Sequence, residues 1–277
     1  MTSRIPLAGV LGAPIAHSRS PRLHGHWLRR YGLPGHYVPL EVAPEDLGRV
    51  LEALPRMGFR GVNVTIPHKE AALALADRAS NRAARIGAAN TLTFAADGGL
   101  DADNTDGYGF IANLRQAAPD WDPAAGPAAV FGAGGAARAV VVSLLDAGVP
   151  ELRITNRSRA RAEALRDSLG ARLRVIDWSD PAALVAGAAT IVNTTSLGMT
   201  GQPPLRLLAT ALDPAALVTD LVYTPLETPL LVDAAAAGCA TVDGLGMLLH
   251  QAVPGFERWF GTRPEVDAAL RDAVLAP

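Results

Sequence analysis

Two polar clusters in the first half of the chain contain the residues best suited to acid–base chemistry. Lys69 directly follows the segment 63–68, NVTIPH, in which Pro67 ends a predicted strand. Asp106 lies in the second cluster, 103–107, DNTDG. An ammonium and a carboxylate that the fold brings together can exchange protons with a substrate. The spacing alone leaves a surface lysine and a helix-capping aspartate as an equally good interpretation.

A glycine-rich segment in the second half, 132–137 (GAGGAA), fits the pattern G-x-G-x-x-G/A. It follows the apolar run 128–131 and opens a segment whose apolar residues recur with helical spacing. In that context Gly132 permits a tight turn, Gly134 lets the backbone approach a pyrophosphate, and Ala137 allows close helix–strand packing. The helix N-terminus favours phosphate. The pattern predicts a dinucleotide site, and a purely structural strand–helix turn is the alternative.

The end of the next predicted strand, 152–155, favours NADP over NAD. An NAD site usually has Asp or Glu about 20 residues beyond the glycine-rich turn to bind the ribose hydroxyls. This chain instead has Asn156 followed by three arginines within 157–161, RSRAR. Guanidinium groups bind phosphate through planar, charge-assisted hydrogen bonds, which suits a 2′-phosphate. The alternative is a solvated, basic start of a helix.

These clusters need a scaffold, and short apolar runs that alternate with amphipathic stretches predict an α/β fold with parallel strands and right-handed crossovers. The first alternation has predicted strands at 7–11, 36–42, 61–66 and 91–94 and helices after Pro21 and at 46–57, 70–76 and 82–86. The second follows a helix at 108–117 and a loop at 118–127, with strands at 128–131, 152–155, 173–176, 190–193 and 217–221 and helices at 136–147, 159–169 and 230–237. Predicted C-terminal helices at 247–260 and 265–275 have no strand after them, so we expect them to pack on the first domain.

Length and composition restrict the classes of protein to consider. The 277 residues suggest about two domains. A net charge of −2 lacks the basic character of nucleic-acid-binding proteins. Cys239 is the only cysteine, which excludes an intrachain disulfide and a cysteine zinc cluster. Without a signal-like N-terminus or a long apolar run, we expect a cytoplasmic protein with no membrane or nucleic-acid partner.

No metal site is predicted. His24 and His26 are two residues apart, so they do not share one face of a helix.

A series of segments in a fixed order resembles the shikimate dehydrogenase family over nearly the whole chain. The segments are 12–21 (GAPIAHSRSP), 63–70 (NVTIPHKE), 87–91 (GAANT), 104–107 (NTDG), 132–137 (GAGGAA), 156–158 (NRS), 193–199 (NTTSLGM), 223–225 (YTP) and 243–251 (DGLGMLLHQ). The resemblance implies reversible reduction of 3-dehydroshikimate to shikimate with NADPH, a step of chorismate and aromatic amino-acid biosynthesis. It implies an N-terminal α/β substrate domain with a mostly parallel sheet, residues 1–106 plus 244–277, and a Rossmann-like NADP-binding domain, residues 107–243, with a cleft between them.

The resemblance also implies roles for individual residues in this chain. Lys69 and Asp106 match the acid–base pair of the family. The matching substrate-binding residues are Ser18, Ser20, Thr65, Lys69, Asn90, Asp106, Tyr223 and Gln251. The matching cofactor-binding residues are Gly132, Ala133, Gly134, Gly135, Ala136, Asn156, Arg157, Ser158, Arg161, Leu221 and Gly244. We expect a monomer or a homodimer.

Three departures from the family pattern and three alternative functions remain. Asn81 stands where the family often has an acidic residue, Ala89 replaces a usual valine, and Ser158 replaces a common threonine. A quinate/shikimate dehydrogenase of broader cofactor use is disfavoured by the missing acid after the second Rossmann strand. A non-catalytic NADP-binding regulator is disfavoured because both Lys69 and Asp106 are present. A paralogue acting on an amino-substituted shikimate analogue stays open.

Overall fold

The computed structural model describes residues 5–276, which form two compact units. The first unit contains the chain up to residue 105 and from residue 249 onward, and the second contains residues 106–248. In the described chain each unit has one six-stranded sheet. The predicted α/β fold class is confirmed.

The strands are numbered in chain order. They are β1 (Leu7–Gly12), β2 (His36–Glu41), β3 (Phe59–Val64), β4 (Arg78–Ala79), β5 (Thr91–Phe94), β6 (Leu100–Asp103), β7 (Ala128–Phe131), β8 (Leu152–Thr155), β9 (Leu173–Val175), β10 (Thr190–Asn193), β11 (Leu217–Asp220) and β12 (Ala240–Val242). The α-helices are α1 (Ser20–Arg30), α2 (Leu47–Ala53), α3 (Lys69–Ala74), α4 (Asn81–Ile86), α5 (Asp106–Ala117), α6 (Gly135–Ala147), α7 (Arg159–Leu169), α8 (Pro181–Val185), α9 (Pro229–Ala236), α10 (Leu245–Phe260) and α11 (Ala268–Leu275).

The first sheet is mixed but mostly parallel, as predicted. Its strand order is β2-β1-β3-β5-β6-β4. Strand β1 is parallel to β2 and β3, and β4 is parallel to β6, whereas β5 runs antiparallel to both of its neighbours. The carboxyl ends of β1 and β3 therefore lie at the same edge of the sheet, where they place the segments that follow them side by side.

Three elements of the first unit differ from the sequence prediction. The predicted helix 46–57 is shortened to α2, because Pro55 has no N–H to continue the α-helical bonds, and a 3₁₀ turn at Leu54–Met57 follows. Strands β4 and β6 were not predicted, since β4 has only two residues and β6 reads LDAD. Pairing with each other and with β5 gives these polar segments their strand conformation.

The C-terminal helices return to the first unit, as predicted. Helix α11 packs against α1. The Arg19 guanidinium donates to the carbonyl of Val274 at 2.8 Å, and the indole N–H of Trp27 donates to the carbonyl of Glu265 at 2.9 Å. Trp27 is fully buried, so the apolar face predicted for α1 is covered.

The second sheet is entirely parallel, with the order β12-β11-β10-β7-β8-β9. This is the doubly wound Rossmann order, in which the direction of winding reverses between β7 and β10. Side chains alternate across β7, so Val130 packs with α6 residue Val141 on one face while Phe131 packs with Leu230 on the other. The sequence missed the short elements α8 and β12 in this unit, and the 3₁₀ turn Ala209–Ala211.

Across residues 5–276, no helix combines the length and the apolar character that a membrane crossing requires.

Candidate active site

Lys69, the only lysine of the chain, begins α3 directly after the end of β3. Its position is set by the backbone around it. The N–H of Thr65 donates to the carbonyl of Leu11 at 2.9 Å, and the N–H of His68 donates to the carbonyl of Thr65 at 2.9 Å. The buried imidazole Nε2 of His68 lies 2.8 Å from the carbonyl oxygen of Val42. His68 therefore ties the start of α3 to the end of β2.

Asn90 joins two predicted site residues of the first unit. The N–H of Ala89 donates to the Lys69 carbonyl at 2.9 Å, which places Asn90 next to the start of α3. The Asn90 amide Nδ2 donates to Oε1 of Gln251 at 3.1 Å, although the two residues are 161 positions apart. Both amides are buried. The structure thus brings Lys69, Asn90 and Gln251 to one region of the first unit.

Thr105 completes this group, and the sequence analysis did not single it out. Its N–H donates to Oδ1 of Asn90 at 2.8 Å, and its hydroxyl donates to the carbonyl of Gln251 at 2.8 Å. The available signal was its place inside the family-like segment NTDG, between Asn104 and Asp106. A threonine there has no feature of its own that marks it as a contact of Asn90.

Ser20 connects to the same group through two buried residues. Ser20 is the first residue of α1, and its N–H donates to Oγ of Ser18 at 3.3 Å. Burial raises the pKa of the Tyr37 hydroxyl, and a hydrogen bond with Ser20 offsets this only in part. Tyr37 donates to Oδ1 of Asn63 at 2.7 Å, and Asn63 Nδ2 donates to the Asn90 carbonyl at 3.1 Å. Asn63 and Tyr37 are therefore a second pair that the sequence analysis missed.

His24 lies behind Tyr37 in the core of the first unit. The two rings stack with centroids 3.8 Å apart and an interplanar angle of 4°. In the described part of the chain neither nitrogen of the His24 ring has a hydrogen-bond partner. Burial lowers the pKa of His24 to about 3, so the ring is neutral at physiological pH. No group of three or more potential metal-ligating side chains occurs within residues 5–276.

Asp106 is buried at the start of α5 in the second unit. Gly107 follows it, and a Cβ at that position would lie 3.0 Å from the carbonyl oxygen of Ala139 in α6. The close packing of α5 on α6 fixes the backbone that carries the Asp106 carboxylate.

The backbone of the glycine-rich turn is tightly folded at Gly132 and open at Gly134 and Gly135. Gly132 has φ +108°, and a Cβ there would lie 2.5 Å from Oγ1 of Thr194. Gly134 caps α6 without any side-chain hydrogen bond, and both Gly134 and Gly135 are exposed with open space around them. Ala137 is fully buried. The turn therefore offers bare backbone N–H groups at a helix N-terminus, which suits the pyrophosphate of a dinucleotide.

Asn156, which the arginines follow in the sequence, is hydrogen-bonded to the same turn. Asn156 Oδ1 accepts from the N–H of Ala133 at 3.2 Å, and its Nδ2 donates to the carbonyl of Ser158 at 2.9 Å. Arg159 pairs with Glu163 at 2.9 Å. No carboxylate among the described residues pairs with Arg157 or Arg161, and both side chains are exposed. These two guanidinium groups are accordingly available for an anionic ligand.

A buried carboxylate, Asp220, organises the carboxyl end of β11. Its Oδ1 accepts from Asn193 Nδ2 and from the N–H of Val222, each at 2.9 Å, and its Oδ2 accepts from the Thr228 hydroxyl at 2.7 Å. All three donors are neutral. Burial raises the pKa of Asp220, an effect that these hydrogen bonds reduce.

The other predicted residues of the second unit lie just beyond Asp220. The N–H of Leu221 donates to the carbonyl of Asn193 at 2.9 Å. A Cβ on Gly244 would lie 2.3 Å from the carbonyl oxygen of Leu221, so the two backbones approach at a distance that only glycine allows. Tyr223 follows on the same loop and is half-buried. Leu221, Tyr223 and Gly244 thus form one group at the carboxyl edge of the second sheet.

Family models match most of the chain. Residues 10–92 match the shikimate dehydrogenase substrate binding domain, residues 121–199 match shikimate/quinate 5-dehydrogenase, and residues 244–273 match the shikimate 5′-dehydrogenase C-terminal domain.

Individual relatives align over nearly the full length. Shikimate dehydrogenase (NADP(+)) from Paracoccus denitrificans (strain Pd 1222) is 69% identical over 98% of this chain and 96% of its own. Shikimate 5-dehydrogenase from Thermus thermophilus, solved in complex with NADP(H) and shikimate, is 39% identical with a TM-score of 0.86 over 98% of both chains. Quinate dehydrogenase from Corynebacterium glutamicum, solved in complex with NAD, is 32% identical with a TM-score of 0.90 over 97% of this chain and 98% of its own. On this sequence identity and coverage, the chain belongs to the shikimate dehydrogenase family.

Proposed function

We propose that this protein catalyses the reversible NADP-dependent reduction of 3-dehydroshikimate to shikimate. The observation that carries the proposal is the hydrogen-bonded group of Asn90, Thr105 and Gln251 beside Lys69, in a chain 69% identical to a shikimate dehydrogenase (NADP(+)). Neutral amides and hydroxyls suit a substrate rich in hydroxyl groups. A site built to hydrogen-bond such hydroxyls rejects analogues that lack them, because its buried polar groups would then go unpaired.

The chemistry assigns a proton role to Lys69 and Asp106. When bound, NADPH supplies the hydride that reduces the carbonyl carbon of the substrate. Negative charge then develops on the carbonyl oxygen, and the Lys69 ammonium stabilises it and donates the proton that completes the new hydroxyl. Asp106 acts with Lys69 as the acid–base pair, and its carboxylate accepts a hydrogen bond from a substrate hydroxyl.

Substrate recognition is divided among the remaining polar residues. Ser18 and Ser20 bind the substrate carboxylate through their hydroxyls. Thr65, Asn90 and Gln251 bind the ring hydroxyls, and Tyr223 is a further substrate-binding residue. Hydrogen bonds run from Ser20 through Tyr37 and Asn63 to Asn90. They support this assignment, because they fix the carboxylate-binding Ser20 relative to the hydroxyl-binding Asn90.

The second unit binds NADP. The open backbone at Gly134 and Gly135 receives the pyrophosphate, with Gly132, Ala133 and Ala136 completing the turn. Arg157 and Arg161 bind the 2′-phosphate, supported by Asn156 and Ser158. Leu221 and Gly244 are the remaining cofactor-side residues.

The proposed domains are a substrate domain of residues 1–106 plus 244–277 and an NADP-binding domain of residues 107–243. A net charge of −2 and a single cysteine support a cytoplasmic protein without a nucleic-acid partner, and a monomer or homodimer stays part of the proposal.

A steady-state assay of the purified protein with shikimate and with quinate, each against NADP and NAD, tests the proposal. We expect the highest kcat/KM for the pair shikimate and NADP. Equal kcat/KM for NADP and NAD, or a preference for quinate, would contradict the proposal and favour a quinate/shikimate dehydrogenase of broader cofactor use.

A further inference from the structure

Asp103, the last residue of β6, carries the most heavily hydrogen-bonded carboxylate of the first unit. Its Oδ1 accepts from Arg82 Nε at 2.6 Å, from the Ser80 hydroxyl at 2.7 Å and from the N–H of Asn104 at 2.8 Å. Its Oδ2 accepts from Arg258 Nη2 at 2.5 Å and from Arg82 Nη2. The residue is only 3% exposed. Five donors from three separate segments therefore converge on one buried side chain.

The Asp103 carboxylate is charged in the folded protein. Burial alone raises its pKa, but the hydrogen bonds from Arg82, Ser80 and Arg258 outweigh burial and hold the pKa well below its usual value. Charge-assisted bonds of this kind are about twice as strong as neutral ones. The three segments are accordingly held at a fixed position relative to β6.

Contacts around Asp103 lead directly to proposed substrate-binding residues. The carbonyl of Asp103 accepts from the N–H of Asn90 at 3.0 Å. Two residues after Asp103, the Thr105 N–H and hydroxyl reach Asn90 Oδ1 and the Gln251 carbonyl. Arg258 follows Gln251 on α10 by about two helical turns, so both side chains lie on one face of that helix.

We propose that Asp103 is a positioning residue for substrate binding. It pulls α10 onto β6 through Arg258 and sets the orientation of the Gln251 and Asn90 amides. The inference rests on the proposed roles of Asn90 and Gln251. A merely structural ion pair would stabilise the first unit without affecting one substrate more than the other.

The test replaces Asp103 with asparagine and measures KM and kcat for shikimate together with KM for NADP. We expect the KM for shikimate to rise roughly tenfold or more with a smaller change in kcat, because uniform binding interactions appear in KM. The KM for NADP should stay within about twofold. Asp101→Asn is the matched control, since Asp101 lies on the same strand and pairs at 2.5 Å with Arg78 at the surface. That variant should keep both KM values.

Arg258 provides an independent test that does not require the Asp103 variant to fold. It makes one bond to Oδ2, which a lysine ammonium can replace. Arg258→Lys should therefore keep a KM for shikimate near that of the parent, whereas Arg258→Met should raise it as Asp103→Asn does. A folded Asp103→Asn with the parent KM, or an equal rise in the KM for NADP, would overturn the inference.

Gln251→Ala separates failure of this inference from failure of the proposed substrate site. A raised KM in Gln251→Ala with an unchanged KM in both Asp103→Asn and Arg258→Met would leave the site assignment standing and refute the positioning role. An unchanged KM in Gln251→Ala would refute both.

Discussion

Backbone contacts on both sides of Lys69 fix its position. The Lys69 carbonyl accepts from Ala89, and the preceding His68 is fixed against Val42. The Lys69 side chain therefore extends from a backbone that hydrogen bonds hold in place. Apart from its histidines, the basic side chains of this protein are arginines and the single lysine, Lys69. A guanidinium does not release a proton in proteins. Apart from the histidines, Lys69 is therefore the only basic side chain of this sequence that can donate a proton.

Lys69→Ala should lower kcat by about 10²–10⁴-fold, because the charge on the substrate oxygen exists only near the transition state. Lys69→Arg keeps a positive charge and loses proton donation, so its kcat should also fall while its KM for shikimate changes little. Steady-state kinetics measure both effects. A kcat in either variant equal to that of the parent would remove Lys69 from the mechanism.

Arg157→Ala should raise the KM for NADP by roughly ten- to a hundredfold and leave kcat/KM with NAD almost unchanged. The 2′-phosphate is the only part of NADP that NAD lacks, and Arg157 has no carboxylate partner among the described residues. Added salt should reduce the preference for NADP, since the side chain is exposed.

Arg159→Ala is the matched control for Arg157→Ala. Arg159 is already paired with Glu163, so its loss should leave the KM for NADP unchanged. A similar rise in both variants would indicate a general effect of positive charge rather than a specific phosphate contact.

From the sequence we could propose site residues whose residue type and local spacing are distinctive. We could not identify residues whose contribution depends on contacts with distant parts of the chain. Lys69 and the glycines of the turn have distinctive side chains, and their local spacing was informative. Asn63, Thr105 and Asp103 are common polar residues, and their importance depends on bonds to residues far away in the chain. Asn90 and Gln251, 161 positions apart, were found only through the family resemblance.

At the scale of elements, the carboxyl end of β11 depends on a buried carboxyl group that accepts hydrogen bonds from neutral donors. Asp220 gathers three neutral donors from β10, from its own loop and from the segment before α9. The sequence predicted β11 correctly from its apolar residues. It could not predict the role of Asp220, because an aspartate at a strand end resembles any turn residue.

Asp220→Ala should destabilise the protein by about 3 kcal/mol or more, since three buried donors lose their acceptor. Asp220→Asn should cost much less at pH 7, because it keeps the Oδ1 acceptor and because burial disfavours the charged form of the carboxyl group that it replaces. Urea unfolding monitored by circular dichroism measures the difference. Equal losses in the two variants would show that the charge, not the hydrogen bonding, stabilises the loop.

Short elements are the part of the fold that the sequence missed. Strands β4, β6 and β12 and helix α8 contain only two to five residues each, too few for hydrophobic periodicity to reveal them. Each forms because a neighbouring element offers it a sheet edge or an apolar surface. Longer amphipathic elements such as α6 and α7 have enough residues for their helical hydrophobic periodicity to be recognised from the sequence.

At the scale of the whole molecule, the stability of the first unit depends on a histidine that stays neutral. His24 has a pKa of about 3 in the folded protein against 6.5 as its ordinary value, because burial disfavours the charged ring. Between these two values the unfolded chain binds a proton that the folded chain does not. Stability therefore falls as the pH drops from about 6.5 toward 3, by about 1.4 kcal/mol per pH unit from this group.

His24→Phe should flatten the pH dependence of unfolding and remove about 2 kcal/mol of the loss between pH 6.5 and pH 5. The phenyl ring preserves the stacking on Tyr37. His36→Gln is the control, because the His36 side chain is exposed and its removal should leave the slope unchanged. Urea titrations at several pH values measure both variants, and an unaltered slope in His24→Phe would refute the prediction.

The solitary lysine has a practical consequence for labelling the enzyme. An amine-directed reagent can modify one side chain of this sequence, that of Lys69, in addition to the α-amino group. Reductive methylation with ¹³C-formaldehyde would therefore introduce a single side-chain NMR probe, at the proposed proton donor. We expect bound shikimate to slow that methylation and to shift the resonance of the labelled protein. Mass spectrometry of a proteolytic digest would measure the extent of methylation at each of the two amines separately. A protein with many surface lysines would give many such signals, whereas here every lysine or arginine position other than that of Lys69, the proposed proton donor, is an arginine.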